Sequence, residues 1–175
     1  MPSDNHIKSA FSLIEKDESK VLGLTVGKHE NVQPGTYIPR QDAQEVPKLS
    51  FSGATPNNKY VIVSLDIDAP FPSFGILGPI LHWIQSDVKV TGTSSLEFDA
   101  PFVANYIGPA PPPGSSPHRY IFFLYEQPED FNLKDHAPAD GQKLANMSRM
   151  RYDLDAWAKE IKLGPLVAFN YFVSN

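Results

Sequence analysis

Four short stretches of this chain carry reactive side chains in otherwise apolar surroundings. Asp66-Ile67-Asp68-Ala69-Pro70 sets two carboxylates at the end of an apolar run. A carboxylate there either opens onto solvent at a mouth or is satisfied by hydrogen bonds, and bonding the amides of the next turn is its plain structural use. His82 sits in Ile-Leu-His-Trp-Ile, where an imidazole is either a satisfied core group or a donor and proton acceptor near neutral pH. Gly108 to Gly114 holds Pro109, Pro111, Pro112 and Pro113, which fix φ and remove backbone donors. Such a loop serves as a polyproline segment for a partner or as a stiff pocket wall that lowers the ordering cost of binding. In His118-Arg119-Tyr120, strand alternation turns His118 and Tyr120 to one side and Arg119 to the other. An imidazole beside a phenol suits the oxygens of a phosphate or carboxylate; Arg119 is expected to pair with a carboxylate elsewhere. The chain has no Gly-x-Ser-x-Gly elbow, phosphate loop, dinucleotide fingerprint or His-Glu-x-x-His motif. His82, His118 and one aspartate are chemically able to ligate a metal, but nothing in their spacing requires it, and neither metal nor cofactor is expected.

These residues need strands to position them. Tyr60 to Ile67 is a nearly continuous β-branched and apolar run, the pattern of a central strand buried on both faces. His118 to Glu126 reads as another buried strand, Leu166 to Val173 as a last strand, and Leu81 to Gln85 as a strand that Val88 to Val90 extends or follows. Val21 to Val26, Pro47 to Phe51 and Phe102 to Ile107 are shorter strand candidates, with Gly35 to Pro39 a turn and edge. Ser9 to Lys16 suits a short helix. Asp140 to Lys162 is the main helical region: Asp153 caps a stripe of Leu154, Trp157, Ala158 and Ile161, and Gly164-Pro165 stops it. Many strands, one helical region and a last strand make a mostly β, α+β chain, read as a single domain over residues 1–175.

Composition narrows the functions. Hydrophobic residues are 41% and charged residues 20%, as in an ordinary globular protein. A formal net charge of −5 gives no broad reason to bind nucleic acid or an anionic membrane. The absence of cysteine excludes disulfides, thiolate zinc and a cysteine nucleophile. No apolar run approaches the roughly 20 residues of a membrane span, and Met1-Pro2 leads into no signal-like stretch, so the cytoplasm is the expected location.

In order and spacing, these stretches resemble the phosphatidylethanolamine-binding protein family. Asp66-Ile67-Asp68-Ala69-Pro70 is similar to the family's Asp-Pro-Asp-Ala-Pro signature, and His82 falls where the family carries its pocket histidine. Gly108 to Tyr120, followed by Tyr125-Glu126-Gln127, looks like its second signature, Gly-x-x-Pro-Pro-x-Gly-x-x-x-His-Arg-Tyr. The resemblance runs from about Leu13 to Val173. It implies a sandwich of two antiparallel sheets with a few peripheral helices and a small pocket at one end. That pocket takes phosphate, phosphorylethanolamine or acetate-like anions. By position, Asp66, Asp68, His82, Pro112, His118 and Tyr120 line it, with Trp83, Gly108 and Ala110 nearby. Three departures are visible: Ile67 replaces a proline, the loop Phe71 to Leu81 is apolar, and the family's C-terminal helix is expected to be absent after Asn175. They imply a wide, greasy mouth of fungal type. The family's cis peptide before the pocket histidine aligns with Gly78-Pro79, where a cis bond costs only about 0.5–1 kcal/mol.

The resemblance implies three functions. The first is binding of an anionic small molecule with a hydrophobic tail, alongside a protein partner that reads the surface near the pocket. The second is an enzyme or accessory protein of fungal specialised metabolism acting on maleic-anhydride units, with His82, His118 and Tyr120 as its catalytic groups. The third is inhibition of a serine carboxypeptidase.

Overall fold

The computed structural model describes residues 2–73 and 76–175. The chain is mostly β with two α-helices: α1 (Asp4–Lys16), β1 (Gly23–Thr25), β2 (Thr36–Tyr37), β3 (Lys48–Ser50), β4 (Tyr60–Asp66), β5 (Ile80–Thr91), β6 (Ser95–Glu97), β7 (His118–Glu126), α2 (Leu154–Glu160) and β8 (Leu166–Ser174). The strands form one continuous sheet, in the order β1-β3-β6-β5-β4-β7-β8-β2, rather than two separate ones. Its neighbours are antiparallel except β2 and β8, which are parallel. The curl is made at β5: its first part pairs with β4, and its last residues, Lys89 to Thr91, pair with β6.

All seven residues of β4 are buried. Alternation sends Tyr60 and Ile62 into a core inside the curl, with Trp83, Phe122 and Phe172. It sends Val61, Val63 and Leu65 into a second core outside, with Phe123 and Phe169, covered by Ile7 and Ala10 of α1 and Leu154 of α2. Burial on both faces is why this strand and β7 read as continuous apolar runs.

Several expected elements shift. α1 starts five residues before Ser9, because its first amides find partners far away in sequence: Asp155 accepts from the backbone N–H of Asn5 and His6, both at 3.2 Å. The expected helical region from Asp140 contracts to α2. Its cap is Asp153, which accepts from Ala156 N–H at 3.0 Å. The residues before it form short 3₁₀ turns, with Asp140 and Gly141 at φ of 55° and 66°. Lys162, at φ 53°, takes the left-handed position after the helix. Gly164 is required for a different reason: a Cβ there would lie 2.4 Å from the Glu126 carbonyl oxygen. Phe102 to Ile107 is not a strand but an extended segment bridged to β5 through Ile84 and Ala104. Ala69-Pro70 and Gly78-Pro79 are both cis. Of the apolar loop after Pro70, Phe74 and Gly75 lie outside the described residues, as does Met1.

Candidate functional site

At the C-terminal end of β4 the sheet opens on a cavity of about 240 Å³. Its walls are mostly apolar: Ala69 and Pro70 after β4, Leu77 and Ile80 before and at the start of β5, Ile107, Gly108, Ala110, Pro111 and Pro112, and Met150. Asp66, His82, His118 and Arg149 supply its ionisable groups. Phe71, Ile76 and Met147 adjoin lining residues in sequence and stand 39, 53 and 77% exposed, so the mouth is bordered by apolar side chains. The proline loop is held from behind. Gln44 donates to the Pro109 carbonyl at 3.0 Å, and Gly108 approaches so closely that a Cβ would sit 2.7 Å from the Ala43 carbonyl oxygen.

Asp66 and His118 come from neighbouring strands; Asp66 faces Tyr120 in the β4–β7 register, two residues along from His118. The His118 Nδ1 contacts Asp66 Oδ2 at 2.8 Å, and Asp66 Oδ1 accepts from the Asp68 N–H at 2.9 Å. His118 Nε2 meets the Ser115 hydroxyl at 2.8 Å, while that hydroxyl lies 2.9 Å from the Ser116 carbonyl. If Ser115 donates to that carbonyl, its oxygen accepts from an Nε2–H, and the ring carries both protons. Burial lowers the basicity of His118, but the hydrogen bond and charge of Asp66 outweigh it and hold its pKa above the ordinary value. Both ring nitrogens are therefore engaged inside the protein.

His82 is placed by a bulge. Ser64 pairs with Trp83 and Leu65 with Leu81, so His82 is the extra residue on β5 with no partner on β4. The bulge breaks the alternation and turns the imidazole to the cavity. Its Nδ1 donates to the Ile107 carbonyl at 2.7 Å, and its own carbonyl accepts from the Ile107 N–H at 2.9 Å. That fixes the tautomer: Nε2 carries the lone pair, and among the described residues it has no hydrogen-bond partner. Burial pushes the His82 pKa down, against the pull of Asp66 and with the help of the Arg149 charge, so the ring is neutral at pH 7.

Tyr120 stands behind the lining. Its ring is edge-on to His82 at 5.0 Å and stacked with His118 at 6.4 Å. Its hydroxyl is buried without a partner, and burial, reinforced by the Asp66 carboxylate, raises its pKa far above the ordinary phenol value.

Arg149, which the sequence reading did not single out, is 1% exposed. Its Nε donates to the Leu144 carbonyl (3.2 Å), Nη1 to the carbonyls of Leu81 and Asn105 (both 3.1 Å), and Nη2 to Asn105 Oδ1 (2.6 Å). The signal available was one of two arginines in Met147-Ser148-Arg149-Met150-Arg151, a stretch that looks like surface.

The structure thus brings Asp66, His82, Gly108, Ala110, Pro112 and His118 to one cavity, with Tyr120 directly behind. Asp68 and Trp83 go elsewhere. Asp68 faces away and takes a two-pronged bond from Arg119, 2.9 Å from Nε and 2.8 Å from Nη2, plus the Arg119 N–H at 2.8 Å. That is the carboxylate Arg119 was expected to find. Trp83 follows the bulge into the inner core, against Phe98 and Tyr106. No three His, Asp or Glu side chains among the described residues converge as a metal site, and no described helix is long and apolar enough to cross a membrane.

Comparison with known proteins adds lineage to this geometry. The family described as phosphatidylethanolamine-binding protein matches residues 28–172. The chain is 33% identical over 171 residues to Phomoidride biosynthesis cluster protein N of Talaromyces stipitatus, covering 87% of this chain and 83% of that one. It is 27% identical over 183 residues to the carboxypeptidase Y inhibitor of Saccharomyces cerevisiae, covering 88 and 83%. The solved structure of a carboxypeptidase Y inhibitor complexed with its cognate proteinase shares the fold, with a TM-score of 0.73 at 24% identity over 94% of this chain and 91% of that one.

Proposed function

The chain belongs to the phosphatidylethanolamine-binding protein family, and on that premise we propose that its cavity binds a small amphipathic molecule by an oxyanionic head. The observation that carries this reading is an unpartnered polar group facing an apolar cavity, Nε2 of His82, with the hydroxyl of Tyr120 buried and, among the described residues, unpartnered behind the lining. Buried polar groups are normally bonded, and exceptions mark a missing partner. A carboxylate or phosphate oxygen completes His82 by taking a charge-assisted hydrogen bond from Nε2 once the ring is protonated. The apolar part lies along Leu77, Ile80, Ile107 and Met150 and leaves past Phe71 and Ile76.

His82 is neutral before binding, so oxyanion capture takes up a proton. Hexanoate is therefore expected to bind more tightly as pH falls from 8 to 6, by up to tenfold per unit above the free His82 pKa. Calorimetric titration in buffers of different ionisation enthalpy reads that proton directly. His82→Gln is expected to weaken hexanoate by roughly ten- to a hundredfold, the worth of a charged hydrogen bond of about 1.5–3 kcal/mol. Equal binding of hexanoate by the two proteins, or no hexanoate binding by the wild type, refutes the reading.

A second reading is favoured by the same Nε2 lone pair, which has the form of a general base in a dry cavity. The Talaromyces relative, named for a biosynthesis cluster, gives such chemistry a context. Exchange of an acidic ligand C–H for deuterium, followed by NMR, should then be faster with the wild type than with His82→Gln. Equal rates leave binding alone.

A further inference from the structure

Arg149 closes the charge pattern of the cavity in a way the oxyanion reading does not require. Three side chains with the chemistry of full charges line it: Asp66, His118 and Arg149. Asp66 and His118 answer one another at 2.8 Å. Arg149 has no such answer. Its four hydrogen bonds all go to uncharged oxygens, and among the described residues no carboxylate lies within ion-pair distance of it. A guanidinium has five N–H groups and does not give up its proton. Four are engaged here, so among the described residues one N–H of Nη2 is left without a partner. The group is 1% exposed, so water does not screen it as it would a surface arginine. A buried charge without a counter-charge is costly, and proteins that keep one supply it with a partner.

Building on the oxyanion reading above, we propose that Arg149 is the counter-ion of the ligand, and that the cavity selects a head group bearing one negative charge, a carboxylate or a singly ionised phosphate ester, over neutral and doubly charged ones. One anionic charge matches the one unmatched cation. A second would lie in an apolar cavity beside the Asp66 carboxylate, where its lost hydration outweighs the one proton that His82 takes up. A neutral head leaves Arg149 uncompensated. Because Arg149 also ties Leu81 to Asn105 and Leu144, the charge is fixed in place before the ligand arrives, which favours selectivity.

The test is a titration series on the whole chain by calorimetry at pH 7: hexanoate, hexanol and adipate against wild type, Arg149→Lys and Arg149→Gln. The wild type is expected to prefer hexanoate over both hexanol and adipate by tenfold or more. Arg149→Lys keeps that order, and Arg149→Gln loses the preference for hexanoate over hexanol. Hexyl phosphate, referenced to hexanoate at each pH, is expected to weaken between pH 5.5 and 8 as it gains its second charge; no relative change would show that a doubly charged head is accepted and overturns the single-charge selectivity. An unchanged preference in Arg149→Gln overturns the assignment while leaving the oxyanion pocket standing. Failure of the wild type to bind any of the anions overturns both. Should Arg149→Gln not fold, the wild-type order decides, and adipate or hexanol bound as tightly as hexanoate refutes the proposal.

Discussion

The two cavity histidines do opposite work although they lie within one site. His118 gains a carboxylate, and its pKa rises above the ordinary value despite burial. His82 gains a carbonyl and an apolar wall, and its pKa falls. The linkage signs follow. A raised histidine contributes stability in full below its unfolded pKa of about 6.5, and the contribution is lost as pH rises through the folded value. The stability difference between wild type and His118→Asn, from urea denaturation, is therefore expected to be largest near pH 6 and to shrink towards pH 9. A difference that grows with pH would show that His118 is held neutral. Ser115 explains why this pair is internal: it occupies the Nε2 that would otherwise face a ligand. On the proposed reading, head-group contact falls to His82 and Arg149.

Among the elements, the bulge in β5 and the proline loop together set the site. Without the extra residue, regular pairing would place His82 opposite a β4 residue and keep strict alternation with Trp83. With it, Trp83 fills the inner core while His82 reaches the cavity. The loop from Gly108 to Gly114 then meets His82 through Ile107, which exchanges two hydrogen bonds with it. Gly108 is the position at which this docking is tightest. Gly108→Ala forces a methyl to 2.7 Å from both the Ala43 carbonyl and the Gln44 side-chain oxygen. The expected cost is about 1–3 kcal/mol, that of an overpacked site, measured as a lower urea midpoint together with weaker hexanoate binding. Unchanged values for both would mean that the segment carrying Ala43 and Gln44 yields freely.

For the molecule as a whole, a net charge of −5 conceals a buried cation, Arg149, with no ion-pair partner among the described residues, because composition averages over a surface that the cavity does not share. The strands that bear the site were legible from residue types alone: β4, β7 and β8 are apolar runs whose bounds nearly match the expected ones, since burial on both faces demands apolar side chains whatever the topology. The resemblance to the phosphatidylethanolamine-binding protein family implied one pocket for Asp66, His82 and His118, and the alternation of His118, Arg119 and Tyr120 holds. What strand periodicity does not encode is register and long-range partnership. The curl at β5, the bulge that aims His82, the pairing of Asp68 with Arg119 across 51 positions, and the capture of Arg149 by Asn105 and Leu81 across 44 and 68 all depend on which residues meet after the chain is folded. Local preference acts over a few residues, and only tertiary packing decides which polar groups are satisfied and which are left facing the cavity.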